Sequence, residues 1–289
     1  MTRTTFTLIS TVIAAAALMV LGPPVSAAQA APASTATGSG CAPVAIVALR
    51  GSGENGPGVI IPRRYTPTVA TAGWEGTIAS RLLSEFYRST PTAAGTPIVQ
   101  VPGGPGGYPA VKVSLVDDVV TEPLQANPLY RSAQAGVRRA LAEMARFRAA
   151  RPDCASTRFV LIGHSQGAMV ARGVALAAPE QVAGLLLYGD PFQLPGRATT
   201  AGPGRFGTGA LRLRYGGQAP LIDRFYRLRV PLREVCHRDD AVCGVTPLGI
   251  ALSIKGYPGP HDTYAQGDTA AARAERAADV AFLRSVVLG

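Results

Sequence analysis

Val160-Leu161-Ile162-Gly163-His164-Ser165-Gln166-Gly167-Ala168-Met169 decides how the rest of the chain is read. An apolar strand runs into Gly-x-Ser-x-Gly, and residues with helix-forming spacing follow. A turn this tight between strand and helix holds the serine in a strained backbone and lifts its hydroxyl over the sheet edge. Glycines two positions either side leave room for the crossing backbones, and the helix amino terminus adds a positive end. The motif therefore implies nucleophilic catalysis by Ser165 and a strand–turn–helix unit of an α/β fold.

Outward from this turn, strand and helix patterns alternate. Pro43 to Leu49 is a continuous apolar run, as expected for a strand covered on both faces, and Arg50-Gly51-Ser52-Gly53 ends it. Trp74 to Tyr87 has helical spacing, and Pro97 to Val101 reads as a short strand. Ala133, Val137, Leu141, Met144 and Phe147 mark an amphipathic helix that Pro152 ends. Arg158 to Ile162 is a strand, Gln166 to Ala178 a helix, and Val182 to Tyr188 a further buried strand. Residues 191–220 are rich in Gly and Pro and read as surface loop; Arg227 to Val235 reads as a strand, and Thr269 to Val287 as a closing helix. The alternation predicts a three-layer αβα sandwich around a central, mainly parallel sheet. Active sites of such sheets lie at the carboxyl ends of the strands, where the loops after Leu49 and Ile162 leave.

The chain starts Met1-Thr2-Arg3, continues with an apolar run to about Leu21, and reaches small residues around Ala27 and Ala30. This is the pattern of a secretory signal peptide over residues 1–30, cleaved after Ala27 or Ala30. The run is shorter than the ~20 residues of a membrane-spanning helix. Residues 31–40 read as a flexible leader and 41–289 as one catalytic domain, secreted and extracellular. Cys41, Cys154, Cys236 and Cys243 are the four cysteines. In an oxidising compartment they form two disulfides with three connectivities, and the closeness of Cys236 to Cys243 favours that pair, leaving Cys41 to Cys154. Their spacing fits no zinc pattern, which argues against a metal site, and acyl transfer by a serine needs no metal or organic cofactor.

The formal charge is +10, but Lys112 and Lys255 are the only lysines among 28 basic residues. An arginine-for-lysine bias of this kind points to genome composition. The basic residues form no run and no nucleic-acid motif, so nucleic acid is not an expected partner; peripheral contact with lipid or cell wall fits the charge. A monomer is expected.

Ser165 needs a base, and the chain offers His164, His237 and His261. His164 adjoins the nucleophile on the elbow, and His237 lies inside the short cysteine loop. His261, after a Pro-Gly-Pro turn, suits the Ser…Asp…His order of this fold. The acid candidates between them are Asp190, Asp223, Asp239 and Asp240. Spacing alone does not separate Asp239 from Asp240.

Cys236-His237-Arg238-Asp239-Asp240-Ala241-Val242-Cys243 resembles the C-x-x-x-D-x-x-C segment of the cutinase family of serine esterases. The resemblance implies that Asp240 is the triad acid. Cys154 ahead of the Gly-x-Ser-x-Gly, and Cys41 before the first core strand, match that family's other disulfide. Ala48-Leu49-Arg50-Gly51-Ser52 is similar to its A-R-G-S turn, with Leu49 as an extra residue. By that likeness Ser52, with the backbone N–H of Gln166, forms the oxyanion hole. The segments 191–224 and 244–260 are longer than in compact fungal members. The family implies hydrolysis of lipid, acylglycerol or polyester esters, with acetylxylan esterase as the neighbouring activity. A non-catalytic surface-binding protein is the reading from another class. Pro247 to Ile254 reads either as a core element or as an apolar lip that receives an acyl chain.

Overall fold

The computed structural model describes residues 41–112, 123, 126–150, 152–216, 224–254 and 259–289. The expected signal peptide and leader, the candidate acid Asp223, and parts of the segments 191–224 and 244–260 lie outside the described residues.

A six-stranded sheet forms the middle layer. Its strands are β1 (Val44–Leu49), β4 (Ile98–Gln100), β5 (Arg158–His164), β6 (Val182–Tyr188), β7 (Thr200–Ala201) and β8 (Leu232–Val235). Their order is β4-β1-β5-β6-β8-β7, and every pairing is parallel. A separate antiparallel ribbon joins β2 (Arg63–Arg64) to β3 (Ala70–Thr71).

The continuous apolar runs have the predicted cause. Along β1, Ala45, Val47 and Leu49 enter one core while Val44, Ile46 and Ala48 enter the other, because successive strand side chains point to opposite faces. The first core is closed by α2 (Pro128–Ala149) and α3 (Gln166–Ala177), the second by α1 (Thr77–Ser89) and α6 (Ala270–Leu288). Helix starts follow local chemistry. Asn127 accepts from the N–H groups of Leu129 and Tyr130 with Pro128 next in line, and Thr269 accepts from Ala272. In α6 the buried Asp279 takes hydrogen bonds from Tyr188 of β6 and Arg233 of β8, fastening the helix to the sheet.

Two expectations shift. The strand read from Arg227 begins only at Leu232, since Pro231 brings no ladder N–H. The segment read as surface loop contains β7, a short helix α4 (Ala210–Arg214) and a buried stretch at Pro191-Phe192-Gln193. Gln193 turns its amide inward, donating to the carbonyls of Gly204 and Gly207, so the segment folds on itself. Pro247–Ile254 is a helix, α5.

Both expected disulfides are present, Cys41–Cys154 and Cys236–Cys243. The first joins the chain just ahead of β1 to the turn before β5. Because β1 and β5 are neighbours, the turns at their carboxyl ends lie side by side, and the β6 and β8 turns continue the same edge.

Candidate active site

Ser165 sits between β5 and α3 with φ 54° and ψ −116°, a left-handed conformation that costs a non-glycine residue energy. Neighbours hold it there. Its N–H donates to Tyr188 O at 2.9 Å, which ties the elbow to β6. A Cβ on Gly163 would lie 2.5 Å from Gly167 O, and one on Gly167 only 2.0 Å from Leu49 O. Each glycine is thus required by a backbone crossing at van der Waals limit. Ser165 makes no side-chain cap bond to α3, so its hydroxyl is not committed to holding the helix.

Asp240 and His261, the expected acid and base, meet on the neighbouring turns. Asp240 follows β8, and its two carboxylate oxygens lie 3.0 and 2.9 Å from His261 Nδ1. Val242 N–H donates to the same carboxylate at 2.7 Å and the Tyr264 hydroxyl at 2.5 Å. The Cys236–Cys243 bridge closes the loop around it. Burial alone would raise the Asp240 pKa, but the charge and hydrogen bond of His261, with the two further donors, bring it down to about 2. A depressed carboxylate contributes stability above its unfolded value near 3.9, and that contribution is lost as pH falls through about 2. His261 responds in the opposite sense: burial lowers its pKa, and the Asp240 charge and hydrogen bond outweigh this and raise it above the usual histidine value. Asp240 also fixes the tautomer. With Nδ1–H donated to the carboxylate, Nε2 keeps its lone pair to accept a proton.

Gly189, at the end of β6, is the floor for this ring. A Cβ there would meet His261 Cε1 at 2.6 Å. The His164 ring lies 4.8 Å from the His261 ring, and its Nε2 is 3.0 Å from the His261 carbonyl, which brings His261 beside the elbow. Among the described residues no hydrogen bond joins Ser165 Oγ to His261. Such bonds tighten when substrate binds.

Ser52 and Gln166 are brought together. Gln166 is fully buried; its Nε2 donates to Ser52 Oγ at 3.1 Å and to Val111 O at 3.2 Å, while its Oε1 accepts from Ser132 of α2 at 2.6 Å. The first N–H groups of a helix lack intrahelical partners, so the Gln166 N–H is available to a ligand. Arg50 anchors the turn before Ser52. Its guanidinium, fully buried, donates to Asn55, to Val101 O and to Tyr108 O, and lies between the rings of Trp74 and Tyr108. Burial pulls its pKa down to about 10, still a cation at neutral pH.

The other candidates are occupied elsewhere. Asp190 and Glu234 clamp Arg172, whose guanidinium also stacks on Phe225 and bonds Tyr226. Asp239 accepts from Thr246 Oγ1 at 3.0 Å, facing α5 rather than His261. The sequence reading missed Tyr264, and it quoted Arg50 in its turn without foreseeing the contacts of the guanidinium. Tyr264 follows His261 by three residues, but nothing in that spacing reveals a hydrogen bond to a residue 24 positions earlier.

The parallel sheet, the glycine-flanked elbow and the carboxylate-held histidine at its carboxyl edge define an α/β-hydrolase. A family model described as Cutinase matches residues 88–275, a span that holds Ser165, Gln166, Asp240 and His261. The chain belongs to the cutinase family of carboxylic ester hydrolases. Among solved structures, an acetylxylan esterase is 16% identical, with a TM-score of 0.51 over 86% of this chain and 100% of that chain. A cutinase-like protein from Cryptococcus sp. is 17% identical, with a TM-score of 0.48 over 89% and 99%. A Trichoderma reesei cutinase in complex with a phosphonate inhibitor is 21% identical, with a TM-score of 0.40 over 86% and 77%. No curated protein matches the chain.

Proposed function

We propose that the protein is a secreted serine esterase in which Ser165, His261 and Asp240 form the triad and Ser52 and Gln166 the oxyanion hole. The observation that carries this reading is the His261–Asp240 pair on the same sheet edge as the strained Ser165. Ser165 Oγ attacks the ester carbonyl as its proton passes to His261 Nε2, and Asp240 stabilises the resulting imidazolium. Charge develops on the former carbonyl oxygen, against the N–H groups of Ser52 and Gln166. Collapse expels the alcohol, which takes the proton from His261. Water, deprotonated by His261, then attacks the acyl-enzyme, releases the acid and restores Ser165. A fluorophosphonate should label the protein once, on Ser165, as read by peptide mass spectrometry; label on any other residue would displace the assignment.

Lipid and polyester esters are the substrates the surroundings favour. On α5, Leu248 and Ile250 are 56% and 37% exposed. The helix abuts the acid loop so closely that a Cβ on Gly249 would lie 2.4 Å from Asp239 O. Apolar side chains exposed beside the acid suit an acyl chain. Each methylene they cover is worth about 0.8 kcal/mol, about fourfold in kcat/KM. The expected result is kcat/KM rising from acetyl through butyryl to octanoyl p-nitrophenyl esters, with the slope flattened in Leu248→Ser/Ile250→Ser. Preference for acetyl would favour acetylated polysaccharide instead. The apolar run after Arg3 and the two disulfides support export to an oxidising compartment.

A further inference from the structure

His237 is a histidine the mechanism above does not use, and it grips the loop that carries His261. Its Nδ1 lies 3.2 Å from the carbonyl of Pro260, the residue before the base, and 3.2 Å from Thr263 Oγ1. Its Nε2 lies 2.9 and 3.1 Å from the two carboxylate oxygens of Glu275 on α6. The ring stacks on Tyr264 at 4.1 Å, and the backbone N–H of His237 donates to the same hydroxyl that Tyr264 gives to Asp240.

The partners favour the doubly protonated ring. A carbonyl and a carboxylate are acceptors only, and the Thr263 hydroxyl spends its proton on Pro260 O at 2.9 Å. With the hydroxyl turned that way both ring nitrogens face acceptors, and an imidazolium, with two N–H groups, satisfies both. The stacked Tyr264 ring presents its π face to that cation.

We propose that His237 is a positioning residue that works as an imidazolium, strapping the Pro260–Tyr264 loop to Glu275 so that His261 keeps its register with Asp240. The proposal rests on the triad reading above. When His237 loses its proton, one ring nitrogen becomes a lone pair. Either Nε2 then faces the Glu275 carboxylate unfavourably, or the Thr263 hydroxyl turns to Nδ1 and leaves the Pro260 carbonyl with only the 3.3 Å bond from the Thr263 N–H. The strap slackens in both cases, and turnover falls on the alkaline side while substrate binding is spared.

The charged and titratable groups around the ring agree with this sense. Glu275 faces it from α6, Asp240 from its own loop and Tyr264 from the base loop; Arg233 of β8 lines the same cleft but is committed to Asp279. Burial lowers the His237 pKa, and the Glu275 hydrogen bond and charge outweigh it, for a net rise. A raised histidine contributes stability fully below its unfolded value near 6.5 and loses it as pH rises through the folded value. The cleft beside it, about 630 Å³, opens to solvent and allows proton exchange.

Ring ¹⁵N NMR of His237 in the Ser165→Ala protein, together with kcat and KM against pH for wild type, Glu275→Gln and Glu275→Asp, tests the idea. Both His237 nitrogens are expected to be protonated at pH 6. Glu275→Gln should move the alkaline fall of kcat to lower pH, costing about tenfold above it. KM should change less than twofold, and Glu275→Asp should recover most of the profile. A neutral ring at pH 6, or a Glu275→Gln profile superimposable on wild type, would overturn the proposal. The NMR result needs no activity, so it decides the protonation claim even if Ser165→Ala proves active and the triad reading fails.

Discussion

Replacing Ser165 with alanine is expected to lower kcat for p-nitrophenyl butyrate by about 10⁶-fold, the scale seen when a serine hydrolase loses its nucleophile. A residual rate of about 10³ over water should persist, because the oxyanion donors and substrate binding remain. The fold should not suffer. Ser165 makes no side-chain cap bond, and its N–H to Tyr188 belongs to the backbone. Thermal unfolding should therefore shift little while the acyl-enzyme burst disappears. A variant that kept a tenth of the wild-type rate would remove Ser165 from the mechanism.

Asp240→Asn carries the next largest effect, about 10⁴-fold in kcat. An asparagine offers an N–H to His261 Nδ1 and selects the tautomer whose Nε2 is already protonated. It also leaves His261 without the charge that raises its pKa. The base must be neutral to accept the Ser165 proton, so wild-type activity should rise with pH through a value above the ordinary 6.5. In the variant the remaining activity should rise at lower pH. Asp239→Asn is the control. It disturbs only the contact with Thr246 and should retain turnover within about threefold, as a substitution remote from the reacting atoms does. The opposite pattern would move the acid by one residue.

These expectations depend on contacts that the sequence discloses unevenly. The buried strands were legible because β1, β5 and β6 are covered on both faces and so carry almost no polar residues. The elbow was legible because its glycines answer to backbone crossings that leave no alternative residue. His261 followed from scarcity, as one of three histidines. The choice of Asp240 over Asp239 rests on the family resemblance, not on local physics. Asp239 and Asp240 differ in direction because Asp239 takes a positive φ of 61°, a detail with no trace in the order of the residues. The segment after Pro191 misled because Gly and Pro usually mark exposed turns. Here they let the chain fold back closely enough for the Gln193 amide to bond two carbonyls. The Arg172 cluster was invisible for a different reason. It joins α3 to Asp190, Tyr226 and Glu234 across separations of 18 to 62 residues, which no periodicity encodes.

Arg50 has a use beyond anchoring its turn. The ring it meets at 5.0 Å is Trp74, the chain's single tryptophan. Near-ultraviolet excitation therefore addresses one indole, and that indole touches the segment leading to Ser52. The protein carries its own optical reporter: emission from one site should follow the order of the Arg50–Ser52 turn in stopped-flow or denaturant experiments, with no dye attached.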